Sequence, residues 1–138
     1  KPPGPGDHED AADLLLGALE ASRPRESILV SSFDPAFLAA LRRRDAGVLL
    51  GRLLTSLDEF NHLEEEEVSG ELAAVHPHHG VVDARFMKRA EQEGLAVVTW
   101  TVDDPAEASR LVRLGASAVI TNRPDLVGDR LLNDLVED

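Results

Sequence analysis

Cysteine is absent from this chain of 138 residues. That excludes disulfides, thiolate metal sites and cysteine nucleophiles, and it fits a reducing compartment such as the cytoplasm. Long apolar runs are missing too. None approaches the roughly 18 residues that a membrane span needs. No basic stretch leads into an apolar segment, so no signal peptide is visible. Basic residues are scarce: 14 Lys and Arg stand against 26 Asp and Glu, a net charge of −12. A surface of that sign repels nucleic-acid phosphates and anionic lipid. Nucleic acid is therefore not the partner read from this chain. An anionic substrate would need concentrated local positive charge or a metal.

What is there describes one globular domain. Hydrophobic residues make up 43% and charged residues 29%, which suits a water-soluble fold with a real core. The opening Lys1 to Gly6, rich in proline and glycine, reads as a loop. Asp7 then caps a helix with Leu15, Leu16 and Leu19 on one stripe, ending at Pro24. Ser27 to Phe33 is an apolar strand. Asp34 and Pro35 start a helix whose buried face is Phe37, Leu38 and Leu41. Arg42, Arg43 and Arg44 complement its dipole, and Gly47 closes it. Val48 to Leu54 is the next strand. Thr55 to Gly70 reads as irregular, with Glu64 to Glu67 as a solvated acidic run.

Glu71 to Val75 reads as a weaker strand that ends in the turn-like His76 to Gly80. Asp83 caps a helix with Phe86, Met87 and Ala90 inward, and Gly94 follows it. Ala96 to Val102 is a strand carrying Trp100, the one tryptophan. Asp104, Pro105 and Glu107 form a capping box over a helix with Ala108, Leu111 and Val112 inward. Gly115 ends it. Ala118 to Thr121 is the last strand, and Pro124 begins a closing helix with Leu126, Val127, Leu131 and Leu132.

Apolar strands alternating with capped helices mean a parallel sheet covered by helices. Five strands are counted. Closing a parallel barrel takes eight strands and typically about 250 residues. The residues thus leave two choices, an open doubly wound sheet or part of a barrel.

The order of the pieces carries a resemblance. It runs from Lys1, through Val30-Ser-Ser-Phe-Asp-Pro35, Leu49-Leu-Gly51 and His76-Pro-His-His79, to the stretches Gly94 to Asp104 and Gly115 to Pro124. This resembles the C-terminal half of the glycerophosphodiester phosphodiesterase family, over nearly the whole chain. The resemblance implies a partial (β/α)8 TIM barrel, about strands 4 to 8, with residues 1–138 as the C-terminal part of that domain. It implies hydrolysis of glycerophosphodiesters to sn-glycerol 3-phosphate and an alcohol, with a divalent cation, Ca or Mg, in the complete enzyme. The family's His-Arg-Gly motif, Glu-x-Asp pair and Glu-x-Lys glutamate have no counterpart here. Lys1 resembles the final residue of Glu-x-Lys. The expectation is that these residues alone hold no metal and are catalytically incompetent.

The resemblance gives two site residues. Trp100 matches the tryptophan lining the glycerol pocket, and Lys1 matches a lysine that offsets phosphate charge. Other candidates are weighed from the residues themselves. His76, His78 and His79 are the only histidine cluster. They read as a loop or pocket rim, since no converging ligand set is evident. His8 and His62 read as surface residues. Ser31 and Ser32 lack a base or a nucleophile elbow, and one reads as a buried hydroxyl bonded to backbone. Asn122 and Arg123 follow the last strand, where barrels often hold phosphate; an exposed loop arginine is the plainer reading. The rival function is a non-catalytic half-barrel, self-associating through open sheet edges.

Overall fold

The computed structural model describes residues 7–20 and 27–137. Lys1 and Pro24 lie outside the described residues. Helix α1 spans Asp7–Glu20, with Asp7, Glu9 and Asp10 in its first turn, where carboxylates favour the positive helix end. Strand β1 is Leu29–Ser32 and helix α2 is Pro35–Arg44. Asp34 caps α2 as its type requires: its carboxylate accepts from the amides of Ala36 and Phe37 at 3.0 and 3.4 Å. Gly47 does not close the helix. Asp45 does, returning its amide to the Leu41 carbonyl at 2.9 Å, and its side chain then takes the Gly47 amide.

Strand β2 is Leu49–Leu54. The segment read as irregular holds a short helix, α3, at Leu57–Asn61, and single 3-10 turns at Leu63–Glu65 and Ser69–Glu71. Ser56 caps α3 by accepting from the Glu59 amide at 3.2 Å. Strand β3 is Ala74–Pro77, shifted toward the histidines from the expected Glu71–Val75. Its register explains how proline is tolerated. The β3 pairing to the next strand stops at Val75 and resumes as a lone bridge from His78 to Trp100. Pro77, which has no N–H to give, sits in the gap.

Helix α4 is Ala84–Gln92 and strand β4 is Ala96–Thr99. Helix α5 is Pro105–Arg113, strand β5 is Ala118–Val119 and helix α6 is Pro124–Glu137. Gly94 and Gly115 follow α4 and α5 with φ of 71° and 106°, a left-handed conformation that suits glycine. One inward assignment fails: Val112 is 40% exposed. Leu126 and Leu132 of the closing helix are 44% and 62% exposed.

The five strands among the described residues are all parallel, in the order β1-β2-β3-β4-β5. The choice left open by the sequence turns on that order. A doubly wound sheet reverses direction at a switch point and takes helices on both faces. Here the order never reverses, so right-handed crossovers put every helix on the same face. That is an arc consistent with part of a (β/α)8 barrel. The outward side chains are buried under the helices: Leu50, Leu54, Val75 and Thr99 are all 0% exposed. Leu50, Leu54 and Val75 join Leu38, Leu41, Phe86, Ala108 and Leu111 in one core.

The outward face also carries Arg52, buried among these apolar residues. Its guanidinium meets the Glu66 carboxylate at 3.0 and 3.1 Å and lies 3.4 Å from Glu59. The acidic run is thus not simply a solvated face. Glu66 is inserted to neutralise a buried cation, and Glu67 pairs with Arg43 at 3.0 Å.

Candidate functional site

Strand side chains alternate between faces. The register therefore places Ser31, Gly51, Ala74 and Ala96 side by side on the inner face of the arc, with Leu53 beside His76 and His78 beside Trp100. At the carboxyl ends of the strands this face finishes in an aromatic rim. Trp100 meets Phe33 edge-on, with centroids 5.7 Å apart, and meets His78 edge-on at 5.2 Å. The indole N–H donates to the His76 carbonyl at 2.7 Å. That bond fixes the ring's tilt, since a backbone carbonyl in a strand cannot move away.

The histidines separate. His78 turns its Nδ1 to the Gly80 amide and stays at the rim. His79 leans outward to Glu107, with Nδ1 3.3 Å from Oε1. His76 is not in a loop at all: it lies on β3 and is 6% exposed. Burial pushes its pKa down, and neither ring nitrogen has a hydrogen-bond partner. Gly51 makes its room, because a Cβ there would come within 2.8 Å of His76 Nε2.

Glu107 does not complete the expected capping box. Asp104 caps α5 through the Ala106 amide, but Glu107 turns to Arg110, 2.9 Å from Nε, and to His79. The Arg110 guanidinium holds its carboxyl down at about 2, with His79 adding to the effect. Arg110 in turn donates to the carbonyls of Val82 and His79 at 3.0 and 3.4 Å. This network ties the histidine loop to α5. Beside it, His79, Gly80, Thr101, Asp103 and Glu107 line a shallow cleft of about 300 Å³. A second cleft, of about 510 Å³, opens at the amino ends of β4 and β5, the end of a barrel that serves stability rather than chemistry.

The network carries a pH prediction. Glu107 has a depressed folded pKa, so its stabilisation is present above the unfolded value of 4.5 and is lost as pH falls toward about 2. Its carboxylate is partly in solvent, which screens the pair, so Glu107→Gln should cost about 1 kcal/mol at neutral pH. Urea unfolding at several pH values should show the two proteins converging below pH 4.5. A constant gap across that range would reject the assignment.

The remaining candidates have ordinary roles. Ser32 Oγ accepts from the Asp34 amide at 3.0 Å. Arg123 is exposed and pairs with Asp125 at 3.0 Å, while the Asn122 amide goes to Asp103. His62 is exposed, but His8 is largely covered and contacts Asp34 at 2.7 Å. Sequence reasoning did not single out Phe33 as a neighbour of Trp100. The available signal was its place one residue past β1, the position that feeds a strand-end rim. Among the described residues, no group of three or more histidine or carboxylate side chains is placed to hold a metal ion. No helix described here is long and apolar enough to cross a membrane.

Comparison with known proteins gives the geometry a context. The sequence model of the glycerophosphoryl diester phosphodiesterase family matches residues 7–126. Among curated proteins nothing matches. Of the solved structures, a glycerophosphodiester phosphodiesterase from Parabacteroides distasonis aligns with a TM-score of 0.80 at 18% identity, over 98% of this chain and 56% of its own. A phosphodiesterase from Oleispira antarctica, in complex with the product sn-glycerol-3-phosphate, aligns at 0.78 with 20% identity, over 94% and 52%. A glycerophosphodiester phosphodiesterase from Thermotoga maritima aligns at 0.63 with 23% identity, over 92% and 54%. The chain thus spans about half the length of the solved structures it matches.

Proposed function

The chain belongs to the glycerophosphoryl diester phosphodiesterase family, and we propose that it forms part of an enzyme that cleaves glycerophosphodiesters to sn-glycerol 3-phosphate and an alcohol. The observation that carries this reading is the Trp100 rim. A fixed indole stands at the carboxyl end of a strand, beside Phe33 and His78, facing the inside of the arc. In barrels that is where substrates bind. An aromatic wall there packs against the carbon skeleton of a glycerol group and excludes water. The solved Oleispira protein holds sn-glycerol-3-phosphate, which supports the choice of product.

The division of labour follows from what the rim lacks. Diester cleavage needs positive charge on the phosphoryl oxygens and an acid and base placed across the scissile bond. The family is generally metal-dependent, but the described donor set does not fit a cation. In this reading, strands 4 to 8 supply the substrate wall, and Lys1, by its family match, offsets phosphate charge. The acid, base and cation ligands belong to the part of the fold that these 138 residues do not cover.

The test is turnover of glycerophosphocholine with Ca or Mg. The chain alone should give none above background. The same chain within a closed barrel should release sn-glycerol 3-phosphate. Metal-dependent turnover by the chain alone would overturn the division of labour. No turnover in either form would overturn the substrate.

A further inference from the structure

The rings of Phe33, His78 and Trp100 meet at the strand-end rim, and they differ in what they can offer a polar ligand. Phe33 has no polar hydrogen. Trp100 has one, and it is spent on the His76 carbonyl at 2.7 Å. His78 is held from every side but one. Its amide donates to the Leu54 carbonyl at 2.9 Å, and its carbonyl accepts from the Val81 amide at 3.0 Å. Its ring meets Trp100 edge-on and lies 4.4 Å from the His79 ring, tilted by 30°. His79 is itself tied to Glu107. The Gly80 amide donates to His78 Nδ1 at 3.1 Å. A backbone N–H can only donate, so Nδ1 presents its lone pair and the neutral ring carries its proton on Nε2. No described residue partners Nε2. Unlike the ring nitrogens of His76, it is not sealed from solvent.

A glycerol group laid on the Trp100 indole sets its carbons against the ring and strips water from its hydroxyls. A hydroxyl stripped in this way needs a replacement partner. Phosphoryl oxygens carry charge and call for cations, whereas a neutral N–H beside an apolar wall suits a neutral hydroxyl. We propose that His78 sets specificity at this rim by donating from Nε2 to a hydroxyl oxygen of the glycerol group. The assignment rests on the reading of this chain as part of a glycerophosphodiester-cleaving enzyme, and it adds the residue that distinguishes glycerol from a plain alkyl group.

Two variants divide the two jobs of the ring. His78→Asn places a carboxamide oxygen where it accepts the Gly80 amide, as in an Asx turn, but it is too short to reach the glycerol group. His78→Gln carries an N–H donor to about the position of Nε2. Both are measured in a closed barrel containing this chain, with sn-glycerol 3-phosphate and propyl phosphate as competitive inhibitors of glycerophosphocholine turnover. The inhibitors share the phosphate and differ in the hydroxyls, so the ratio of their inhibition constants reads the hydroxyl contacts alone. The unmodified protein should favour sn-glycerol 3-phosphate. His78→Asn should shrink that preference about five- to tenfold, and His78→Gln should restore most of it. An unchanged ratio in His78→Asn would overturn the proposal and leave the substrate standing. Absence of turnover in the unmodified protein would overturn the substrate and this assignment with it. A second measurement needs no turnover and no variant. Long-range proton–nitrogen NMR spectra of the chain itself should show His78 protonated at Nε2, and protonation at Nδ1 alone would overturn the proposal.

Discussion

Replacing Phe86 with alanine should remove about 3–5 kcal/mol of stability, the usual cost of deleting a fully buried ring. Phe86 is 2% exposed on α4, and its ring lies 4.2 Å from that of Phe60, tilted by 33°. Phe60 is 1% exposed and lies in the short helix α3. The Arg89 guanidinium stands over the Phe60 ring, 4.5 Å from its centroid, and donates to Asn61 at 2.8 Å. One aromatic pair thus clamps the segment after β2 onto α4. Removing Phe86 leaves a cavity whose walls are held by separate elements, so collapse cannot refill it. A domain of this size has only about 5–15 kcal/mol to lose. The melting midpoint should fall by roughly 10 °C or more. Phe86→Leu, which keeps most of the volume, should cost less than half as much in urea unfolding. A Phe86→Ala loss below about 1 kcal/mol would show that the clamp is not part of the cooperative core.

Legibility in the sequence followed the physics of each signal. Asp34-Pro35 and Asp104-Pro105 each combine a side-chain acceptor with a preset φ, so two helix starts were readable to the residue. Gly94 and Gly115 were readable because a left-handed turn suits glycine. Strand β3 was not, since Pro77 and its flanking histidines look like a turn until the pairing is seen to skip the proline. Glu66 was hidden inside a run of like charges. Arg52, alone in Leu-Leu-Gly-Arg-Leu-Leu, was the clue that a carboxylate must reach it. The exposure of Val112, Leu126 and Leu132 was invisible for a different reason. Helical period says which side chains share a face, but it cannot say whether a neighbour is present to cover them. The strand before Trp100 was legible, but it was read as running to Val102, whereas β4 ends at Thr99 and Trp100 follows it as a lone bridge to His78. The Trp100 neighbours Phe33 and His78 were not legible, because they come from other strands and meet it only through the register.

Trp100→Ala should raise the KM for glycerophosphocholine by about 10–100-fold in a closed barrel containing this chain, the cost of losing about 1.4–2.8 kcal/mol of apolar contact. The affinity for the catalytic cation should stay unchanged, because no described residue near Trp100 belongs to a cluster suited to a metal. Trp100→Phe separates the wall from its anchor. Phenylalanine keeps an aromatic face but loses the bond from the indole N–H to the His76 carbonyl. It should recover most of the KM while melting slightly lower, since a single neutral hydrogen bond contributes about 0.5–1.5 kcal/mol. Trp100 is the one tryptophan of this chain, so in a closed barrel whose added portion carries no tryptophan its fluorescence is an unmixed reporter. Titration with sn-glycerol 3-phosphate should shift that emission with the same midpoint that the product shows as an inhibitor. A purely structural Trp100 would lower the melting midpoint of the alanine variant and leave KM alone, with no product-dependent emission. A substrate wall moves KM and emission together, and that pairing distinguishes the two roles at this strand end.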